Sequence, residues 1–176
     1  LLEYQLTWLR SNGITDIIIL CGYKAVVIQE HFRDGAALGL NIQYSLEEKP
    51  LGRGGAFKQG FGLVPASEQI IFGCNGDNIN EQSIGDMVAF HRQNHALATV
   101  MLTALRSPYG IATLEESGRI TGFEEKPLLP HWLNAGAYIF DRAALEQFPD
   151  KGDHEDTTFP ALAEQGRLFG FKSTAY

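Results

Sequence analysis

Asp77 lies in Asn75-Gly76-Asp77, just past the apolar run Ile70-Ile71-Phe72. A carboxylate at the C-terminal end of a buried strand can hold Mg²⁺ over a phosphate. The second stretch that can do chemistry is Glu47-Glu48-Lys49-Pro50-Leu51-Gly52-Arg53-Gly54-Gly55-Ala56, a Gly-rich turn running into a helix expected near Ala56 to Gly60. Backbone with little side-chain bulk can lie close against a flat base or a phosphate. Together the two stretches point to an enzyme that handles a nucleoside triphosphate. A dinucleotide-binding Rossmann site fits poorly. Gly52-x-Gly54 opens its fingerprint, but Phe57 stands where the third glycine belongs.

The elements that must position these residues alternate between helix and strand. Leu2, Leu6 and Leu9 share a helical face, and Asn12-Gly13 ends that helix. Ile17-Ile18-Ile19-Leu20 reads as a strand buried on both faces, with Gly22 at its end. A helix over Ala25 to Phe32, a strand over Asn41 to Tyr44, the Gly-rich turn and its helix, and a strand over Gln69 to Phe72 follow. Ser83 is placed to cap a helix running to about Asn94, and Ala98 to Leu105 reads as the next strand. Beyond it, Gly110 to Leu114, Ile120 to Glu124 and Ala135 to Phe140 read as short strands, with Ser117-Gly118 as a hairpin turn. Helices near Arg142 to Gln147 and Phe159 to Glu164 precede a last strand, Leu168 to Phe171. The sum is an α/β chain of three layers, α/β/α and Rossmann-like, around a mainly parallel mixed sheet, with ligands at the strands' C-terminal edge.

Composition sets limits on partners. The 176 residues suit one domain, 44% hydrophobic and 20% charged, with a formal net charge of -7. That balance argues against broad binding to nucleic acid or an anionic membrane, which need a basic face. No apolar run reaches membrane-spanning length, and Cys21 and Cys74 cannot build a disulfide framework, so a reducing cytoplasm is the expected compartment. Both thiols, next to strand ends, are expected to be packed rather than catalytic. His91 and His95 sit at i and i+4 but have no third ligand nearby, and are expected at the surface. Trp132 is expected in a loop.

Several motifs occur here in the order found in sugar-1-phosphate nucleotidylyltransferases: Leu51-Gly52-Arg53-Gly54-Gly55-Ala56, Asn75-Gly76-Asp77, Tyr109-Gly110, Gly122-Phe123-Glu124-Glu125-Lys126-Pro127 and Asn134-Ala135-Gly136. The resemblance extends to Phe159-Pro160-Ala161-Leu162 and is strongest to the mannose-1-phosphate and heptose-1-phosphate guanylyltransferase branch. It implies that the turn around Glu47, Pro50 and Gly52 holds the base, with Gly76 beside it. Glu47 would accept from a guanine N1–H and amine. Asp77 would bind Mg²⁺. Gly110 would let the backbone approach the sugar, Glu125 would accept from sugar hydroxyls, Lys126 would hold the sugar phosphate and Asn134 would add a sugar contact. The implied partners are a nucleoside triphosphate, with GTP favoured, and a sugar 1-phosphate.

Other readings of the same residues stay open. The glycines fit a plain tight turn, Asp77-Asn78 a helix cap, and Glu124-Glu125-Lys126 a solvated charge run. Arg53 can meet a phosphate or point to solvent. A sugar-phosphate or nucleotide sensor without catalysis would keep Glu125, Lys126 and Asn134. Members of the family also begin with a strand and a Gly-x-Gly-x-Arg-Leu loop and carry a second metal-binding Asp, none of which is in these 176 residues. A domain spanning 1–176 is therefore expected to be incomplete at both ends, to leave two strands with unpaired edges, and to favour pairing with another copy.

Overall fold

The computed structural model describes residues 1–173. Helix α1 (Leu2–Ser11) leads to strand β1 (Asp16–Cys21), then α2 (Ala25–Phe32), β2 (Asn41–Leu46), α3 (Gly52–Phe61), β3 (Ile70–Cys74), α4 (Ile84–Gln93) and β4 (Ala98–Arg106). A hairpin of β5 (Ile111–Leu114) and β6 (Ile120–Glu124) follows, then β7 (Leu128–Asp141), α5 (Thr158–Glu164) and β8 (Leu168–Lys172). No helix among the described residues is long and apolar enough to cross a membrane.

The central layer is split. β1 pairs with β2 in parallel, while β3, β7, β4 and β8 form a second sheet in that order. β7 runs antiparallel to both its neighbours, and β4 and β8 are parallel. The free edges of β1 and β3 border one cleft of about 1310 Å³, lined by Ile17, Ile19, Ile70 and Phe72 among others.

Two helices tie the halves together, one on each face. On one face α1 sets Leu6 and Leu9 in a core shared by Ile17 and Ile19 of β1, Met87 of α4 and Ile139 of β7. Its Trp8 ring meets Phe72 of β3 edge-on at 5.7 Å. On the other face α3 packs Phe57 and Phe61 with Tyr138 and Phe140 of β7, Phe148 and Phe159. A Cβ on Gly73 would come within 2.8 Å of the Phe57 ring, so α3 lies directly on β3. β7 shows the period-two logic of a strand covered on both sides: Ala137 and Ile139 face the first core, Tyr138 and Phe140 the second. Each buried aromatic or aliphatic side chain contributes about 2 kcal/mol.

The largest departure from the sequence reading is in β7. β7 begins at Leu128, not near Ala135, and runs through Pro130. It pairs with β4 as far as Arg106↔Leu128, and a register shift between Ala104 and Arg106 accommodates the stretch that includes Pro130, which has no N–H to offer. Trp132 is therefore a strand residue opposite Ala104, with the Lys172 ammonium 4.6 Å from its ring centroid, and not a loop residue. The last helix before α5, Arg142–Gln147, is a 3₁₀ helix capped by the Asp141 carboxylate on the Ala143 N–H.

Candidate active site

The Gly-rich turn is itself the first turn of α3, which starts at Gly52. A helix start leaves several N–H groups without partners, and no local side chain caps this one. The caps come from 100 residues away. Asp153 Oδ1 accepts from the Arg53 N–H at 2.8 Å, and the Gly152 carbonyl accepts from Gly54 and Gly55 at 2.9 and 3.2 Å. Gly152 donates back to the Leu51 carbonyl at 2.7 Å. Cβ atoms on Gly52, Gly54 and Gly55 would all fall within 3 Å of the 150–154 backbone. These glycines let two backbone segments meet, and the N–H groups of Arg53, Gly54 and Gly55 are already spoken for. What this turn offers a ligand is its Glu47-to-Gly52 side.

The structure also decides Arg53. Its guanidinium pairs with Asp153 at 3.0 Å and Glu155 at 2.8 Å. The side chain clamps the turn to the 150–155 loop. Between those two acids His154 is fully buried, its ring 4.8 to 5.7 Å from the rings of Phe57, Tyr138, Phe148 and Phe159. Neither ring nitrogen finds a hydrogen bond, though Nδ1 lies 3.2 Å from a Glu155 oxygen. Burial, helped by the Arg53 charge, lowers its pKa to about 4, against a smaller upward pull from Asp153.

Glu47 follows the end of β2, its N–H bonded to the Cys21 carbonyl of β1. One carboxylate oxygen accepts from the Leu51 N–H at 2.7 Å, closing the turn that contains exposed Pro50. The second oxygen takes no hydrogen bond within that turn and remains able to accept. Glu47, Gly52 and Gly76 line the cleft between β1 and β3, as does Asn75. Three of the four residues expected around the nucleotide thus border this cleft; Pro50 and Asp77 do not line it.

Asp77 is exposed on the loop after β3. The loop is docked onto Asn134-Ala135-Gly136 of β7: Asn75 N–H donates to the Gly136 carbonyl at 2.8 Å, and Asn78 Nδ2 to the Ala135 carbonyl at 3.0 Å. Gly136 has φ +69°, and a Cβ there would collide with the amides of Asn75 and Asn78. Asn134 accepts from the Gly136 N–H at 2.9 Å and donates to the Tyr138 hydroxyl at 3.0 Å. No group of three His, Cys, Asp or Glu side chains forms a metal cage among the described residues. A single exposed carboxylate suits Mg²⁺, which takes one or two carboxylates and fills its remaining positions with phosphate oxygens and water.

Of the residues expected around the sugar phosphate, Gly110, Glu125 and Lys126 lie at the root of the β5–β6 hairpin, whereas Asn134 is on β7 opposite Leu102. A Cβ on Gly110 would lie 2.8 Å from a Glu125 oxygen and 2.5 Å from the Phe123 ring, so Gly110 is what lets Glu125 fold back beside it. Lys126 holds φ +50°, unusual for a side chain with a Cβ, and its carbonyl is fixed by Arg106 Nη1 at 2.9 Å. The next carbonyl, of Pro127, accepts from the Ser107 N–H at 2.9 Å.

Of the side residues, His91 is buried, not superficial. Its Nδ1 meets Thr99 Oγ1 at 2.9 Å, and burial lowers its pKa. Cys21 and Cys74 are free thiols whose pKa values burial raises, to about 11 for Cys74, so neither is a ready nucleophile.

Comparison with known proteins decides the family. The nucleotidyl transferase profile matches residues 1–169. The chain belongs to the nucleotidyl transferase family. It is 32% identical to the mannose-1-phosphate guanylyltransferase of Mycobacterium tuberculosis, over 99% of this chain and 50% of that protein. The chain spans about half the length of the curated relatives it matches. The fold is that of HddC from Yersinia pseudotuberculosis, with TM-score 0.75 at 22% identity over 98% of this chain and 76% of that one. The same protein complexed with GMP-PN gives 0.71 at 21% identity, over 99% and 77%.

Proposed function

We propose that the protein transfers a guanylyl group from GTP to a sugar 1-phosphate, giving a nucleotide sugar and pyrophosphate for surface glycan synthesis. The observation that carries this reading is that Glu47, Gly52 and Gly76 border one cleft, with Asp77 one residue beyond Gly76 on a loop docked on Ala135 and Gly136, next to Asn134. Guanine is favoured because the Glu47 oxygen left over from the Leu51 bond can accept from the base's N1–H and amine, where a uracil would call for an amide. The mannose-1-phosphate guanylyltransferase relatives and the GMP-PN complex of a protein with this fold support the same choice.

In the reaction, an oxygen of the sugar phosphate forms a bond to the α-phosphorus of GTP as the bond between that phosphorus and the bridging oxygen of pyrophosphate breaks. No covalent enzyme intermediate is needed, so the work of the chain is positioning and charge neutralisation. Asp77 would hold Mg²⁺, which screens the phosphate charge when bound. Lys126 would set a positive charge on the sugar phosphate, with its backbone fixed by Arg106. Glu125 and Asn134 would accept from and donate to sugar hydroxyls, beside the backbone at Gly110. The test is pyrophosphate release from GTP with mannose or heptose 1-phosphate. Asp77→Asn should abolish it without unfolding the protein, and release at the wild-type rate would remove the metal role.

A further inference from the structure

Gln5 lies on the apolar side of α1, between Leu2, Leu6 and Leu9, and is 3% exposed. A buried amide must spend its donors, and Gln5 spends them 70 residues away. Nε2 donates to the Asn75 carbonyl at 2.7 Å and to the Asn78 carbonyl at 2.5 Å. Those carbonyls flank Gly76 and Asp77, so the loop that carries the candidate metal carboxylate is wrapped around one amide nitrogen. The same helix holds the loop further on. Tyr4 donates its hydroxyl to Glu81 at 3.2 Å, and Asn12 Oδ1 accepts from the Ile84 N–H at 3.0 Å. With Trp8 against Phe72 of β3, α1 forms a spine along which residues 72–84 are laid.

We propose that Gln5 is a positioning residue for the Asp77 loop, setting where that carboxylate meets a metal–nucleotide complex; this rests on the reading of Asp77 given above. From the side opposite Gln5, the loop is held by the Ala135 and Gly136 carbonyls of β7, at Asn78 and Asn75. Among the described residues the Asp77 carboxylate has no hydrogen-bond partner that fixes its direction. Its placement follows from the two carbonyls on either side, and both converge on Gln5. Without that amide, two half-buried carbonyls would have to find water or turn outward, and the residues between them would turn with them.

The experiment is Mn²⁺ binding in the presence of a non-hydrolysable GTP analogue, followed by the paramagnetic resonance of free Mn²⁺. The samples are wild type, Gln5→Met and Asp77→Asn. Methionine keeps the unbranched length and removes both donors. Half-saturating Mn²⁺ should rise about tenfold in Gln5→Met, the equivalent of one or two lost neutral hydrogen bonds, with the number of sites per folded protein unchanged. Wild-type half-saturation in Gln5→Met, when Asp77→Asn weakens binding, overturns the role of Gln5 alone. A loss of sites at unchanged half-saturation does the same, because that is what a purely structural defect gives. Wild-type binding in Asp77→Asn instead overturns the metal reading of Asp77. Should Gln5→Met fail to fold, Gln5→Asn, which keeps the amide but withdraws it by one methylene, is judged by the same criterion.

Discussion

Replacing His154 by Phe should make the protein less sensitive to acid. His154 is sealed among aromatic rings, and both of its nitrogens lack hydrogen bonds. Its folded pKa stands at about 4 against an ordinary 6.5, chiefly through burial, with Arg53 adding to the fall and Asp153 opposing it. Above pH 6.5 both folded and unfolded chains carry a neutral ring and nothing is at stake. As pH drops below 6.5 the unfolded chain takes up a proton that the folded ring refuses, so stability falls until about pH 4, where both are charged. At roughly 1.4 kcal/mol per pH unit, the wild type should lose about 1 to 2 kcal/mol by pH 5.5 and about 2 to 3 kcal/mol by pH 4.5 from this residue alone. The assay is urea unfolding of wild type and His154→Phe at pH 7.5, 6.5, 5.5 and 4.5. The difference in unfolding free energy between the two should shift toward the variant by those amounts. Parallel profiles across the whole range would refute the buried neutral imidazole.

Removing the Arg53 clamp by Arg53→Ala should loosen the turn, with a small but measurable coupling to Asp153→Ala in a double-mutant unfolding cycle, modest because the pair is partly exposed; an additive cycle would count against the clamp. Gly110→Ala should push Glu125 and Phe123 aside, and is expected to raise the KM for sugar phosphate more than that for GTP. Lys126→Ala is expected to raise the sugar-phosphate KM by about 10- to 100-fold, the range for one charge-assisted contact, while leaving the GTP KM within about twofold. Equal effects on both substrates would place Lys126 elsewhere in the reaction.

Much of the fold was legible because its signals are local. The cap by Ser83 is there, its Oγ accepting from the Asp86 N–H at 3.2 Å, and Gly118 makes the hairpin turn with φ +83°. What the sequence hid depends on distant partners. The start of α3 was placed near Ala56 because no capping residue precedes Gly52; the caps are Gly152 and Asp153. The same loop leaves no room for a Cβ on Gly52, Gly54 or Gly55. β7 was cut short at Ala135 because Pro130 and polar neighbours weaken its pattern, whereas its pairing with β4 sustains it. His91 was read as exposed because Thr99, its partner, lies on another element. Gln5 carried one usable signal, a polar side chain on the face that Leu2, Leu6 and Leu9 mark as apolar, but not the carbonyls it serves. The candidate site residues rest on motif order; Glu47, Gly52 and Gly76 line the cleft, Gly110, Glu125 and Lys126 lie at the hairpin root, and Asn134 stands apart from both on β7, beside the Asp77 loop.

The most direct test of the account is pyrophosphate release by the purified protein with Mg²⁺, mannose 1-phosphate and each of GTP, ATP, UTP and dTTP, alongside Asp77→Asn. The account predicts release with GTP above the other three nucleotides and none from Asp77→Asn. Release that ignores the base, or that survives in Asp77→Asn at the wild-type rate, would contradict it.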